Sequence, residues 1–190
     1  MQAEEVLRIL KETGGLLSGH FELRSGLHSD VYFQCANVLR FPDIAARLCR
    51  ALVEKMREAQ SALEVDTVIA PALGGILVGY EVARALGVPS IFVEKQEGKL
   101  ALRRFTIRPG ERFVVAEDVV TRGGRVEETV RIVREHGGCV AAIAMLVDRS
   151  GGRVRFDVPS CSLLELEPQT WEPAVCPLCA RGIPFSHPGS

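Results

Sequence analysis

Long apolar runs are missing from this chain. Across its 190 residues, Gly, Pro or a charged side chain interrupts every hydrophobic stretch well before the ~18 residues that a membrane-crossing helix needs. The opening stretch, MQAEEVLRILKETGG, carries acids and no apolar segment of signal-peptide length, so no secretory leader is expected and a cytoplasmic location follows. An excess of one charge is missing too. Lys and Arg number 23 against 24 Asp and Glu, a net charge of −1, which argues against a broad nucleic-acid surface. Aromatics are scarce at 6% while hydrophobic residues reach 47%, so the core must be mainly aliphatic. There is no internal repeat and no low-complexity segment. A compact chain of this length buries roughly 70% of its unfolded surface, and it needs neither disulfides nor metal to hold a core.

The six cysteines are read accordingly. Cys35, Cys49, Cys139 and Cys161 lie scattered in apolar or mixed segments and are expected to be plain thiols. Cys176 and Cys179 form a Cys-Pro-Leu-Cys pair near the C-terminus. Zinc needs four ligands and this pair supplies half of them. His187 could be a third, with a second subunit completing the set. A redox disulfide is another reading, and a plain turn, dispensable for catalysis, is the favoured one.

Along the chain, Val6, Leu7, Ile9 and Leu10 share one side of a short helix over residues 3–13, ended by Gly14-Gly15. Short alternating runs punctuated by Gly and Ser then suggest small strands and turns. Pro42 opens a helix in which Ile44, Leu48, Leu52 and Met56 recur at fourfold spacing. From residue 65 onward, apolar runs (65–71, 88–95, 112–118, 139–150, 158–167) alternate with helical stretches (74–87 and 123–138). That alternation predicts an α/β fold with a central parallel sheet flanked by helices. Residues 94–111 are polar and basic without core periodicity, and the Pro- and Gly-rich end is expected to be irregular. The chain is therefore read as one domain, 1–190, with a small N-terminal hood (about 1–40), a core (about 41–166) and a tail (167–190).

In an open parallel sheet, ligands bind beyond the carboxyl ends of the strands. Four strand ends carry polar or Gly-rich segments: Pro71 to Gly75, Glu94-Lys95, Glu117 to Arg125, and Asp148-Arg149-Ser150. The third is the most informative. An apolar strand delivers Glu117 and Asp118. Val119 and Val120 link them to Thr121-Arg122-Gly123-Gly124-Arg125, and a helix follows. Backbone N–H groups at such a helix start, aided by the dipole, Thr121 and the arginines, would cradle a phosphate. The segment matches neither GxxxxGK[ST] nor GxGxxG. Carboxylates beside a phosphate suit sugar hydroxyls, so the ligand would be a sugar phosphate. Alternatively, Asp118 caps the turn and the glycines only permit it.

The string FVVAEDVVTRGGRVEETV also resembles the phosphoribosyl-diphosphate motif of type I phosphoribosyltransferases. GHFELRSGLHSDVYFQ, PALGGILVGYEVARALGVPSIFVEK, VDRSGG and CPLCARGIPFSHPGS look like segments of the orotate-specific branch, so the likeness spans roughly residues 5–190. The resemblance implies a type I phosphoribosyltransferase fold and the transfer of a 5-phosphoribosyl group from its 1-diphosphate to orotate, giving orotidine 5′-monophosphate in UMP synthesis. Carried over by position, Lys95, Lys99, Arg103 and residues Glu117, Asp118, Val119, Val120, Thr121, Arg122, Gly123, Gly124 and Arg125 would bind the diphosphate sugar. Lys99 and Asp118 would be catalytic. Arg24, Tyr32, Phe33, Thr121 and Arg149 would meet orotate, with Arg149 on its carboxylate. That pairing also suits a planar guanidinium on chemical grounds, although a surface salt bridge with Asp148 is an alternative. Where relatives often carry Arg-Lys and a turn lysine, this chain has Glu94-Lys95 and Gly74.

The family reaction needs no covalent nucleophile. Mg²⁺ would be held mainly by the substrate, with no ligand directly from the protein. The resemblance further implies a homodimer in which loop 94–105, open without substrate, reaches the neighbouring site. Small-molecule substrates, no nucleic acid and no membrane complete the expectation. A purine-base enzyme of the same fold and a non-enzymatic regulator are the rival readings.

Overall fold

The computed structural model describes residues 1–23 and 25–188. The hood begins with helix α1 (Ala3–Glu12), whose Val6, Ile9 and Leu10 are buried. Strands β1 (Leu16–Glu22) and β2 (His28–Phe33) follow as an antiparallel pair, then a short helix α2 (Cys35–Leu39). The core runs α3 (Pro42–Ala59), β3 (Thr67–Pro71), α4 (Gly74–Leu86), β4 (Ser90–Gln96), β5 (Lys99–Ala101), β6 (Arg112–Val120), α5 (Gly124–Glu135), β7 (Cys139–Asp148) and β8 (Ser160–Glu165). Its six strands lie in the order β5-β4-β3-β6-β7-β8. All pairings are parallel except β4 with β5.

Both faces of the central strands are apolar, as burial on two sides requires. Successive residues alternate between two cores. Val114, Ala116, Ala142, Ala144 and Leu146 face the helices α1 to α4, while Phe113, Val115, Ile143 and Met145 face α5. The four-helix face uses small residues at its centre, which lets α4 approach closely. A Cβ built on Gly79 would lie 2.7 Å from the Ala70 Cβ. Hood residues Leu10, Leu16, Phe33 and Cys35 belong to the same continuous core. At the far end of α4, Gly87 adopts φ 78° and donates its N–H to the Ala83 carbonyl, a left-handed stop that glycine adopts without steric cost.

One expectation is corrected. Residues 94–101 form a hairpin, with Glu94 opposite Ala101 and Gln96 opposite Lys99. Glu97 (φ 52°) and Gly98 (φ 86°) make its two-residue turn, since both central positions of that turn type need positive φ. Leu100 and Ile107 are buried in the α5-side core, and the Leu100 N–H donates to Glu128 at 2.9 Å. This segment therefore has core anchors despite its charge. The tail is mostly irregular, as expected, with three short elements. It adds β9 (Thr170–Trp171) to β2, then a 3-10 turn (Pro173–Val175) and helix α6 (Pro177–Ala180).

Alanine at 79 should gain about 0.5–1 kcal/mol of helix propensity but overpack against Ala70 at a cost of about 1–3 kcal/mol. Gly79→Ala should therefore lower the melting temperature by a few degrees. A rise on thermal denaturation would show that α4 sits farther from β3.

Candidate active site

β3 and β6 are adjacent, yet their following connections leave in opposite directions, to β4 on one side and β7 on the other. Their carboxyl ends consequently splay into a crevice, where such folds bind ligands. One wall is the turn from Pro71 into α4, whose Ala72–Leu73 peptide is cis. The other is the segment from Glu117 into α5. A cleft of about 240 Å³ lies there, lined by Glu117 and residues 119–126.

Glu117 is only 3% exposed. Burial first, then the neighbouring Asp118 charge, pushes its carboxyl up from 4.5 to about 8, with Arg125 opposing. The Arg125 Nε lies 3.7 Å from Glu117 Oε2, and the Arg125 guanidinium also donates to the Ala72 carbonyl, tying the two walls together. Asp118 accepts the Val119 N–H at 2.8 Å. This bond stays within β6 and does not cap the turn, since α5 has Gly123 as its N-cap and no side-chain cap, and it leaves the other carboxylate oxygen toward α4. A Cβ on Gly74 would sit 2.6 Å from Asp118 Oδ2, so any side chain there must displace that carboxylate.

The loop beyond is shaped for an anion. Gly123 has φ 78°, and a Cβ on it would lie 2.8 Å from Val154 Cγ1. Thr121, Arg122, Gly124 and Arg125 are exposed around the start of α5. The free N–H groups of a 12-residue helix and its dipole attract negative charge at this point.

Arg149 follows β7, with its N–H on the Val120 carbonyl at 2.8 Å. It makes no ion pair with Asp148, whose carboxylate instead accepts the Ser150 N–H at 2.7 Å. The guanidinium lies over the Phe33 ring, 5.3 Å from its centroid, and its Nε is buried without a hydrogen-bond partner. Burial lowers its pKa, although Tyr32 and Cys35 act in the opposite direction. A half-buried, still-charged arginine whose buried Nε is unsatisfied is costly unless an acceptor meets it. Cys35 borders the same region. Burial, and then the Asp118 charge, raises its thiol pKa, so it stays protonated and is no nucleophile.

The structure thus brings together Glu117, Asp118, the Thr121–Arg125 loop, Arg149 and Phe33, with Tyr32 adjoining through the Arg149 electrostatics. It does not bring the hairpin cations into the cleft. Lys95 and Lys99 are exposed on the hairpin, and Arg103 and Arg104 both approach Glu94, at 3.8 and 2.9 Å. Arg24 lies outside the described residues. Sequence reasoning missed the stacking of Arg149 on Phe33, and only the resemblance named both as base contacts.

Glu117 has a stability consequence. Its folded pKa of about 8 stands above the ordinary 4.5, so stability present below pH ~4.5 is lost progressively as pH rises through about 8. Glu117→Gln should therefore be more stable than wild type in ligand-free protein. The gap should widen from pH 5 to pH 8 to some fraction of the ~4–5 kcal/mol that the full shift implies. Urea unfolding at both pH values checks this, and a constant gap would count against the buried-carboxyl account.

The chain was compared with known proteins. Residues 36–179 match the phosphoribosyl transferase domain. The chain is 49% identical to the orotate phosphoribosyltransferase of Desulforamulus reducens, with 100% of this chain and 98% of that one covered. It is 50% identical to that of Heliobacterium modesticaldum, covering 100% and 99%. The crystal structure of the orotate phosphoribosyltransferase from Aeropyrum pernix superposes with a TM-score of 0.70 at 27% identity, covering 85% of this chain and 93% of the other. By these matches the chain belongs to the orotate phosphoribosyltransferases of the type I phosphoribosyltransferase family.

Proposed function

We propose that this chain joins orotate to 5-phosphoribosyl-1-diphosphate, producing orotidine 5′-monophosphate and diphosphate for pyrimidine nucleotide synthesis. The observation that carries this reading is Arg149, with a buried Nε lacking a partner, next to the sugar-phosphate crevice and against an aromatic ring. A carboxylated pyrimidine offers that guanidinium an anion. A purine base brings no carboxylate and would leave Arg149 unpaired. The names of the full-length relatives support the same substrate.

In this reading, the 5′-phosphate sits on the loop from Thr121 to Arg125, and Glu117 and Asp118 accept hydrogen bonds from the ribose hydroxyls. Because the buried carboxyl of Glu117 holds its proton up to about pH 8, sugar hydroxyls or a cation that favour its ionised form should displace that proton on binding. The turn after β3 faces the diphosphate with its backbone. As C1 loses diphosphate to the orotate ring nitrogen, the loop arginines and the hairpin residues Lys95, Lys99 and Arg103 supply fixed positive charge to the departing oxygens. Mg²⁺ fits beside this oxygen-only donor set of two carboxylates. When bound to the substrate, it would neutralise the leaving diphosphate. No side chain forms a covalent bond.

We further propose a homodimer. Leu73, Leu77 and Tyr80 are 83%, 50% and 60% exposed along one side of α4, an apolar stripe that a second copy would cover. The hairpin beside it would then reach the neighbouring site. Six cysteines kept as thiols suit a reducing compartment, which supports a cytoplasmic location.

Arg149→Ala should raise the Michaelis constant for orotate by roughly 30- to 150-fold, the loss of about 2–3 kcal/mol, with little change for the diphosphate sugar. Equal effects on both substrates would remove the carboxylate contact, and faster turnover with a purine would favour the rival base. Subunits carrying Lys99→Ala, mixed with subunits carrying Asp118→Asn, should recover part of the activity, because a hairpin acting across the dimer leaves one site intact. Verified mixed dimers with no recovery would defeat the shared-site arrangement.

A further inference from the structure

Away from the crevice, four potential metal ligands converge where the tail meets the hood. His20, His28, Cys176 and Cys179 place one ligand atom each within 4.8 Å of one another. His20 Nε2 is 2.8 Å from His28 Nδ1, 3.5 Å from Cys176 Sγ and 3.8 Å from Cys179 Sγ, and Cys179 Sγ is 3.2 Å from His28 Nδ1. An ion bound tetrahedrally, with Zn–N of about 2.0–2.1 Å and Zn–S of about 2.3 Å, needs ligand separations of roughly 3.3–3.8 Å. The four separations given run from 2.8 to 3.8 Å and the remaining two stay within 4.8 Å, so side-chain adjustments of up to about 1 Å would complete that shell.

The surrounding structure orients these side chains. Register slips between Ser18 and Phe21, where β1 carries an extra residue. This bulge turns His20 inward, so that it and Phe21 are both buried in succession. His20 and His28 are 4% and 3% exposed and Cys176 is 2% exposed. The Nδ1 of His20 lies 2.7 Å from the Ile183 carbonyl. Donation there fixes the tautomer and leaves the Nε2 lone pair aimed into the cluster, the usual outer support of a ligating imidazole. Cys179 closes the open side. The turn between the cysteines is drawn tight by the Ala180 N–H on Cys176 and the Gly182 N–H on Cys179. Phe185 packs its ring at 5.6 Å from His20 and 4.9 Å from His28.

We propose that His20, His28, Cys176 and Cys179 hold a structural zinc ion that fastens the C-terminal tail to the hood. Four ligands in a closed shell leave no open position, so the site is structural and not catalytic. The S₂N₂ set favours zinc over harder cations. On binding, the two thiols release their protons, and the dication with two thiolates and two neutral imidazoles carries no net charge, which suits burial. His187, the ligand the sequence suggested, is not part of the shell. It lies 3.5 Å from Glu22 on the far side of Phe185. Half a zinc site was legible in the Cys-Pro-Leu-Cys turn, and the fold supplies the other half from β1 and β2 of the same chain. The ion would bind the strand that starts at His28 and ends at Tyr32 and Phe33, steadying the side of the crevice that Phe33 borders.

The test uses the full chain, expressed with zinc in the medium and purified without chelator. Elemental analysis should find close to one zinc per chain. Cys176→Ser and Cys179→Ser should lose it, whereas Cys139→Ser, at an exposed site elsewhere, should keep it. Cobalt exchanged into the wild type should give the intense visible bands of four-coordinate thiolate ligation, a readout that stands even where a variant fails to fold. Removing the metal should lower the melting temperature by about 5–10 °C. Wild-type protein that holds no zinc and takes up no cobalt would overturn the proposal. So would a Cys176–Cys179 disulfide in the purified chain, or zinc retained by both serine variants.

Discussion

The crevice depends on keeping a buried carboxyl beside a half-buried one, with an arginine in ion-pair reach of the first. Glu117 and Asp118 follow one another at the end of β6, and Arg125 at 3.7 Å is the nearest cation to Glu117. Such an arrangement costs stability unless the first carboxyl stays protonated, and burial together with the Asp118 charge does hold its pKa up near 8. The close geometry around the pair follows. Gly74 and Gly75 leave no side chain where Cβ atoms would come within 2.6 and 3.0 Å of the carboxylate oxygens of Asp118 and Glu117. The small residues Ala70 and Gly79 let α4 settle low enough for its first turn to form the opposite wall. A ligand bearing hydroxyl donors therefore relieves a tension already present in the free protein, and part of its binding energy is set by the fold.

Much of this was legible because it is local. Strand, acid pair, glycine loop and helix occupy one contiguous stretch from Arg112 to Glu135, and each part constrains the next. The parallel sheet was legible for the same reason, since buried strands read as short apolar runs and Pro42, Gly87 and Gly124 mark helix ends. The 94–101 hairpin was not. Glu94, Lys95 and Lys99 mask its alternation, and its turn uses Glu97 at positive φ, which few non-glycine residues adopt. The partners of Cys176 and Cys179 were illegible too, because they lie 148 to 159 positions earlier, and His20 turns toward the cluster only at a bulge that no local pattern announces.

The hood and the core are physically one body. Leu10, Leu16, Phe33 and Cys35 share a continuous apolar cluster with α3, α4 and the sheet. This places Phe33 beneath Arg149, so that cation–ring contact joins residues from the second strand of the hood and from the end of β7. The loop from Thr121 to Arg125, by comparison, is one contiguous segment. The two sides of the crevice thus have different mechanical support, one from a helix start rooted in the central sheet, the other from the small hood sheet.

That difference explains why the tail is so firmly attached. A pair of strands is marginal alone, and the hood obtains a third strand from β9, with Ser29 donating to the Gln169 carbonyl at 2.8 Å. Farther along, Ser186 bonds to His20 and Glu22 through the backbone, and Phe185 covers the imidazoles. The tail thus grips β1 and β2 at the end opposite Phe33, and a fixed end there limits how far the aromatic at the other end can drift from Arg149. Since the buried Nε has no hydrogen-bond partner, holding that ring in place also holds the half-buried guanidinium in position at the end of β7.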